Sequence, residues 1–230
     1  SVERSVDARS LDEIAAECSR LLQTEYTDDL DHLFAGGGSS GGARPKILTT
    51  VDGEDWIIKF PGAGDRPDAG REEYDYACCA KKCGIAMEEV RLFPSKTCGG
   101  YFGTRRFDRV HTPEGVVKRH MASVAALLET SHRMPNLDYT DLLRLTLMLT
   151  GSIEECWKLF RLMCFNVYAH NRDDHSKNFS FLYLDEEKRW ILAPAYDLTY
   201  SSSIGGEHAT TINGNGAAPA FSDLLAAADT

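Results

Sequence analysis

A chain of 230 residues carrying a formal charge of −10 has room for one large domain or two small lobes, and its acidity argues against a nucleic-acid binder, which must neutralise phosphates with Lys and Arg. No run of eighteen apolar residues is present, so no membrane span is expected, and Ser1–Ser5 shows no charged and apolar leader pattern. The seven cysteines are an odd number in no disulfide framework, which predicts buried free thiols and a reducing cytoplasm.

In chain order, Leu11–Phe34 reads as a helix with Ser10 as N-cap and Glu13 completing a capping box. Gly36–Gly42 is a Gly/Ser run, too short for a linker and too glycine-dense for a regular element. Lys46–Val51 and Trp56–Phe60 alternate like strands and are joined by Asp52-Gly53-Glu54-Asp55, a hairpin signal. A Pro/Gly loop over residues 61–70 precedes a helix over 71–83, closed by Gly84. Residues 89–93 and 100–107 read as strands. Helices are predicted over 121–129, 139–149 and 153–169; in the last, Ile153, Cys156, Trp157, Phe160, Met163, Cys164 and Val167 recur at helical steps and mark the inward face. Short strands follow at 179–184 and 189–192, and the start of a helix at 221–227. Strands early and helices late predict an α+β chain of two lobes, a β-rich one over 1–110 and a mainly helical one over 111–230.

The chemistry concentrates in His170-Asn171-Arg172-Asp173-Asp174-His175-Ser176-Lys177-Asn178. An acid followed five residues later by an amide, beyond a long helix, is the catalytic-loop spacing of protein kinases. There the acid accepts the proton of the attacking hydroxyl, and the amide holds a metal on the nucleotide phosphates. Asp173 and Asn178 take those places, and Asp197, nineteen residues beyond Asn178, stands where the second metal-holding acid belongs. The bland alternative is a polar connection whose Asp and Asn cap backbone groups. His175 is assigned an orienting hydrogen bond, and Lys177 lies beside Asn178 in the same catalytic set. Lys59, alone among apolar neighbours in its strand, meets an anion or reaches to solvent, and Glu72 or Glu73 could pair with it. The run ending Ser39-Ser40-Gly41-Gly42-Ala43 could cradle phosphate through backbone N–H groups, although it is not a Walker A motif. His120, His132 and His208 show no ligand spacing and read as surface or packing residues.

Gly41–Lys46, Trp56–Phe60, Arg105–Arg109, Asp173–Ser180 and Ala193–Leu198 together resemble the successive motifs of HipA-type serine/threonine kinases, the toxins of bacterial toxin–antitoxin pairs. The resemblance covers about residues 36–200 and implies a bilobal protein-kinase-like fold, ATP and Mg²⁺. It also implies a helix-turn-helix antitoxin partner and a protein substrate such as an aminoacyl-tRNA synthetase or another translation factor. Lys59 then binds phosphates, Asp173 is the base, and Asn178 and Asp197 hold the metal. Arg105 and Phe107 fall at the adenine hinge with Asp108 near the ribose, and Ser39 or Ser40 falls at an inhibitory autophosphorylation site. Arg105 departs from the Glu found at the hinge of the best-known toxin. The N-terminal subdomain of longer members is absent and the C-terminal helices are mostly missing, as in a compact member, a fragment or a truncated gene. Two other functions fit the same residues: a small-molecule kinase and an inactive nucleotide-binding scaffold.

Overall fold

A computed structural model describes residues 11–20, 44–62, 64–129, 137–202 and 205–229. The backbone separates into two compact units, one ending at Asp75 and resumed by Glu89–Arg106, the other made of Tyr76–Glu88 and everything from Phe107 onward.

The first unit is built on an antiparallel sheet of β1 (Lys46–Val51), β2 (Glu54–Lys59), β3 (Val90–Phe93) and β4 (Tyr101–Arg105), in the order β1-β2-β4-β3. Asp52 and Gly53 both take positive φ (52° and 77°), so the predicted β1–β2 hairpin closes through a two-residue turn that suits the twist of its strands. Trp56, Ile58 and Phe60 pack with Phe93, Tyr101 and Leu11 into one apolar core. Leu11 opens a helix, α1 (11–20), matching the start of the predicted one; Ser10 and residues 21–34 lie outside the described residues. The Asp12 carboxylate fastens α1 by accepting from Ser95 Oγ (2.6 Å), Tyr101 Oη (2.8 Å) and Lys96 N (3.0 Å). The Ser95 bond foremost, and the other donors against the opposing effect of burial, hold this carboxyl below its ordinary pKa.

Helix α2 (Ala69–Lys82) gives its residues through Asp75 to the first unit and the rest to the second. Its second residue, Gly70, has no room for a side chain, because a Cβ there would stand 2.2 Å from the Gly100 carbonyl. The helix ends as expected at Gly84, with φ at 79°.

The second unit departs from expectation at its start. Residues 121–129 are not one helix: β7 (His120–Ser123) pairs with β9 (Ser180–Leu184), and only Val124–Leu127 (α3) turns helical. Ser123 decides the boundary, facing Ser180 in the ladder while its hydroxyl caps Ala126 N at 3.3 Å. Before it, β5 (Arg109–Thr112) and β6 (Gly115–Lys118) form an unforeseen hairpin. Then come β8 (Leu137–Asp138), α4 (Tyr139–Thr150), α5 (Ile153–Tyr168), β9, β10 (Arg189–Leu192), β11 (Thr210–Thr211) and α6 (Phe221–Ala228). Strands β10-β9-β7 form one sheet, and β8 and β11 pair in parallel.

Helix α5 turns only part of its predicted apolar stripe inward: Met163 and Val167 are buried and Cys156, Phe160 and Cys164 pack against the core, but two members near its start do not. Ile153 and Trp157 are 61% and 56% exposed, whereas Glu155, Leu159, Leu162, Met163 and Asn166 are buried. Ile153, Cys156, Trp157 and Phe160 line an open apolar groove with Leu143, Leu147 and Ala227. Glu155 tolerates burial because its carboxylate accepts from Leu192 N (2.9 Å) and pairs with Lys158 (2.7 Å), which fixes the end of β10. The cysteines are all unpaired, as expected, but none is fully buried, and Cys79 and Cys83 are exposed. No helix among the described residues is long and apolar enough to cross a membrane.

Candidate active site

Each unit carries one half of the predicted chemistry. In the first, Lys59 on β2 reaches α2, where its ammonium meets Glu73 Oε1 at 2.6 Å. Of the two glutamates open to it, the inner one takes the pairing; Glu72 pairs outward with Arg66. Glu73 is only 4% exposed, and its second oxygen is met at 2.8 Å by Arg44, which also holds Asp65 at 2.8 Å. Arg44 was visible in sequence only as the end of the Gly-rich run, with nothing to announce its pairing. Lys59 Nζ also lies 5.5 Å over the Phe102 ring. The result is a buried carboxylate balanced by two cations, lining a small cleft with Phe60, Ala69 and Gly70. The candidate cradle, Ser39, Ser40, Gly41, Gly42 and Ala43, lies outside the described residues.

Arg105 closes β4 with its amide on the Glu89 carbonyl, and the chain passes between units after Arg106, within the stretch read as the hinge. Phe107 packs 5.8 Å from the Tyr196 ring. The Asp108 carboxylate, expected near a ribose, meets Arg109 at 2.7 Å.

In the second unit, α5 delivers the chain through His170, at φ 55°, into the loop of Asp173. Asn178 donates from Nδ2 to the Asp173 carbonyl at 2.7 Å, which leaves Oδ1 as the oxygen able to meet a cation. Between them Ser176–Asn178 form one 3₁₀ turn, capped by His175, whose Nδ1 accepts from Lys177 N at 3.3 Å. His175 Nε2 stands 3.7 Å from Asp173 Oδ1, beyond hydrogen-bond length. One hydrogen bond of His175 thus runs to its own turn. The Lys177 side chain is exposed, and its carbonyl accepts from Tyr196 Oη at 2.7 Å. Tyr196 Oη also meets Ser180 Oγ at 2.6 Å, so the residue before Asp197 is tied to the chain on either side of Asn178. Burial foremost, and then Asp197, push the Tyr196 phenol up to about 12 against the pull of Ser180.

Asp197 is exposed and left-handed at φ 54°, a conformation that costs a non-glycine residue of order 1 kcal/mol or more and persists where the surroundings impose it. Burial foremost raises the Asp173 pKa, opposed by His175 and reinforced by the negative Asp174 and Asp197. An acid held above its ordinary value suits proton acceptance from a hydroxyl. Asn178 and Asp197 each offer a hard oxygen of the kind that could hold Mg²⁺ together with phosphates, and among the described residues no group of three or more His, Cys, Asp or Glu is placed to hold a metal.

The model of the HipA-like C-terminal domain matches residues 38–229. The chain belongs to that family. Its fold is protein-kinase-like: it superposes with a TM-score of 0.67 and 18% identity on a chain from the Shewanella oneidensis MR-1 complex of HipA, HipB and operator DNA, over 98% of this chain and 58% of that one. The proinflammatory kinase CtkA of Helicobacter pylori matches at 0.51 and 18% identity, over 66% of this chain and 53% of that one. Y4dM of Sinorhizobium fredii, a kinase by name, is 28% identical over 177 residues, which are 70% of this chain and 41% of that protein. The chain thus spans about half the length of the relatives it matches.

Proposed function

We propose that this HipA-like domain is an ATP- and Mg²⁺-dependent kinase that phosphorylates a serine or threonine hydroxyl of a protein. The observation carrying the reading is the second unit's loop, where Asn178 is hydrogen-bonded to the backbone of Asp173 and the carboxyl of Asp173 is held above its ordinary pKa. In this mechanism Asp173 accepts the acceptor hydroxyl's proton, while Lys59, braced by Glu73, binds phosphate oxygens. Asn178 and Asp197 would hold the metal. The bound Mg²⁺ supplies charge neutralisation on the phosphates.

The finer reading is a growth-arresting toxin directed at a translation component, partnered by a helix-turn-helix antitoxin and restrained by autophosphorylation at Ser39 or Ser40. Family membership supports it, as does the presence of HipB and operator DNA in the complex of the Shewanella relative.

Incubation with labelled ATP and Mg²⁺, read by intact mass and phosphopeptide mapping, tests the core of the proposal. Asp173→Ala should lower transfer by ~10²–10⁴-fold while leaving nucleotide affinity nearly unchanged. Near-normal turnover by a folded variant would move the base elsewhere. Label found only on small hydroxylated acceptors would favour a small-molecule kinase, and nucleotide binding without any transfer would favour a scaffold.

A further inference from the structure

Asp174, immediately after the proposed base, is 1% exposed, and every acceptor atom it offers is used. Oδ2 accepts from Tyr139 Oη at 2.9 Å and lies 2.9 Å from His208 Nδ1; Oδ1 accepts from Thr210 N at 3.2 Å. Its carbonyl accepts from Thr210 Oγ1. These partners are themselves buried, at 0% for Tyr139, 4% for His208 and 0% for Thr210. A second tier supports the first: Asn166 Nδ2 donates to Tyr139 Oη at 2.9 Å, and Asn171 Nδ2 donates to Asn166 Oδ1 at 3.0 Å. His208 is set in place by its own amide, which donates to Gly216 O at 2.8 Å.

The same strand of chain also grips the residue on the other side of the base. Ala209 N donates to Arg172 O at 3.1 Å. Three consecutive carbonyls are therefore fixed: Arg172 by Ala209, Asp173 by Asn178 and Asp174 by Thr210. The Asp173 side chain meanwhile remains 49% exposed. Its backbone is held from beneath while its carboxylate stays available.

We infer that Asp174 and His208 are positioning residues, which clamp the loop of Asp173 and Asn178 to residues 208–210 and so set the direction of the Asp173 carboxylate. A carboxylate suits the post because it accepts from three converging donors at once, whereas Asn in its place would turn an amide N–H against one of them. The inference rests on the kinase reading for its catalytic consequence, although the clamp itself does not. Misplacing a catalytic group by about 1 Å costs roughly 10²-fold, so loosening the clamp should act on the transfer step rather than on nucleotide binding.

The test uses the intact chain and the variants Asp174→Asn, His208→Leu and His208→Asn, the last keeping an N–H donor near the place of Nδ1. Turnover, Mg·ATP affinity, thermal midpoint and hydrogen exchange of amides 172–178 are measured on each. Asp174→Asn and His208→Leu should lower kcat by ~10–100-fold with Mg·ATP affinity within about threefold, and should speed exchange across 172–178 by about tenfold or more. His208→Asn should restore most of both. Loss of kcat that only tracks the unfolded fraction, or exchange at 172–178 that is unchanged in folded Asp174→Asn, would overturn the clamp. Absence of turnover in the wild type would defeat the kinase reading instead, and exchange alone would then decide whether the loop is clamped.

Discussion

Each unit buries one acid beside its proposed chemistry, and the two are satisfied by opposite means. Glu73 is met by Lys59 and Arg44, two long cations that are themselves 14% and 29% exposed. Asp174 is met by a phenol, an imidazole and an amide, all fixed by their own packing or backbone. A cation on a flexible stem can leave one oxygen for another, so under the proposed function the Glu73 cluster could release Lys59 to a phosphate and keep Arg44. Short, rigid donors have no such freedom. The Asp174 cluster is built to stay as it is, which suits the residue beside the proposed base.

The contrast is most sharply tested by truncating both acids. Asp174→Ala leaves three buried donors facing a cavity that water cannot easily serve, and should destabilise the chain by about 4 kcal/mol. Glu73→Ala frees two side chains that can turn toward solvent, and about 2 kcal/mol is expected. Urea unfolding of the two variants compares them directly; a larger loss for Glu73→Ala would reverse the assignment of fixture and exchangeable contact.

Lys59→Met separates binding from stability in the first unit. Arg44 still satisfies Glu73, so the unfolding free energy should change by less than ~1 kcal/mol. ATP affinity should fall by about 10–100-fold, the worth of a charge-assisted contact to phosphate. Calorimetric titration with Mg·ATP checks it, and unaltered affinity would remove Lys59 from the nucleotide site.

A smaller effect concerns protons. With its folded pKa raised, Asp173 favours the protonated native state, so its contribution to stability is present in acid and is lost as pH rises through the folded value. Catalysis has the opposite sign, because the base works only when ionised. The acid limb of kcat should therefore lie above the ordinary Asp value of about 3.9. Removing one like charge with Asp197→Asn should bring the Asp173 carboxyl down, as read by ¹³C titration; an unmoved titration would mean that Asp197 does not act on it.

What could be read from the chain beforehand follows the range of the forces involved. The β1–β2 hairpin was visible because Asp52-Gly53 codes its turn locally. The Asp173–Asn178 spacing was visible because both residues lie in one short loop, closed by the Asn178 bond to the Asp173 carbonyl. The inner face of α5 was legible only in part: Met163 and Val167 lie inward as their spacing implies, but buried Glu155 and Asn166 interrupt the apolar pattern and exposed Ile153 and Trp157 extend it falsely. His208 was passed over as a packing residue because its partner lies 34 positions away and no local spacing announces it. The strand at 120–123 went unseen for the same reason: its ladder partner is 57 to 63 residues further on.

The gentlest perturbation is Tyr196→Phe. It deletes one oxygen that donates to the Lys177 carbonyl and meets Ser180 Oγ, and leaves the ring against Phe107. Both lost bonds are neutral, and the Lys177 end is exposed enough for water to replace the donor. About 1 kcal/mol should be lost, well below the cost of removing either buried acid. Because the phenol stays protonated up to about 12, this tie is indifferent to pH across the range in which Asp173 ionises. The stability difference between wild type and Tyr196→Phe should accordingly be constant from mildly acidic to neutral pH. A difference that instead grows or shrinks across that range would show that Tyr196 holds Asp197 or Asp173 in one charge state, and that the tie belongs to the proton chemistry rather than to the scaffold.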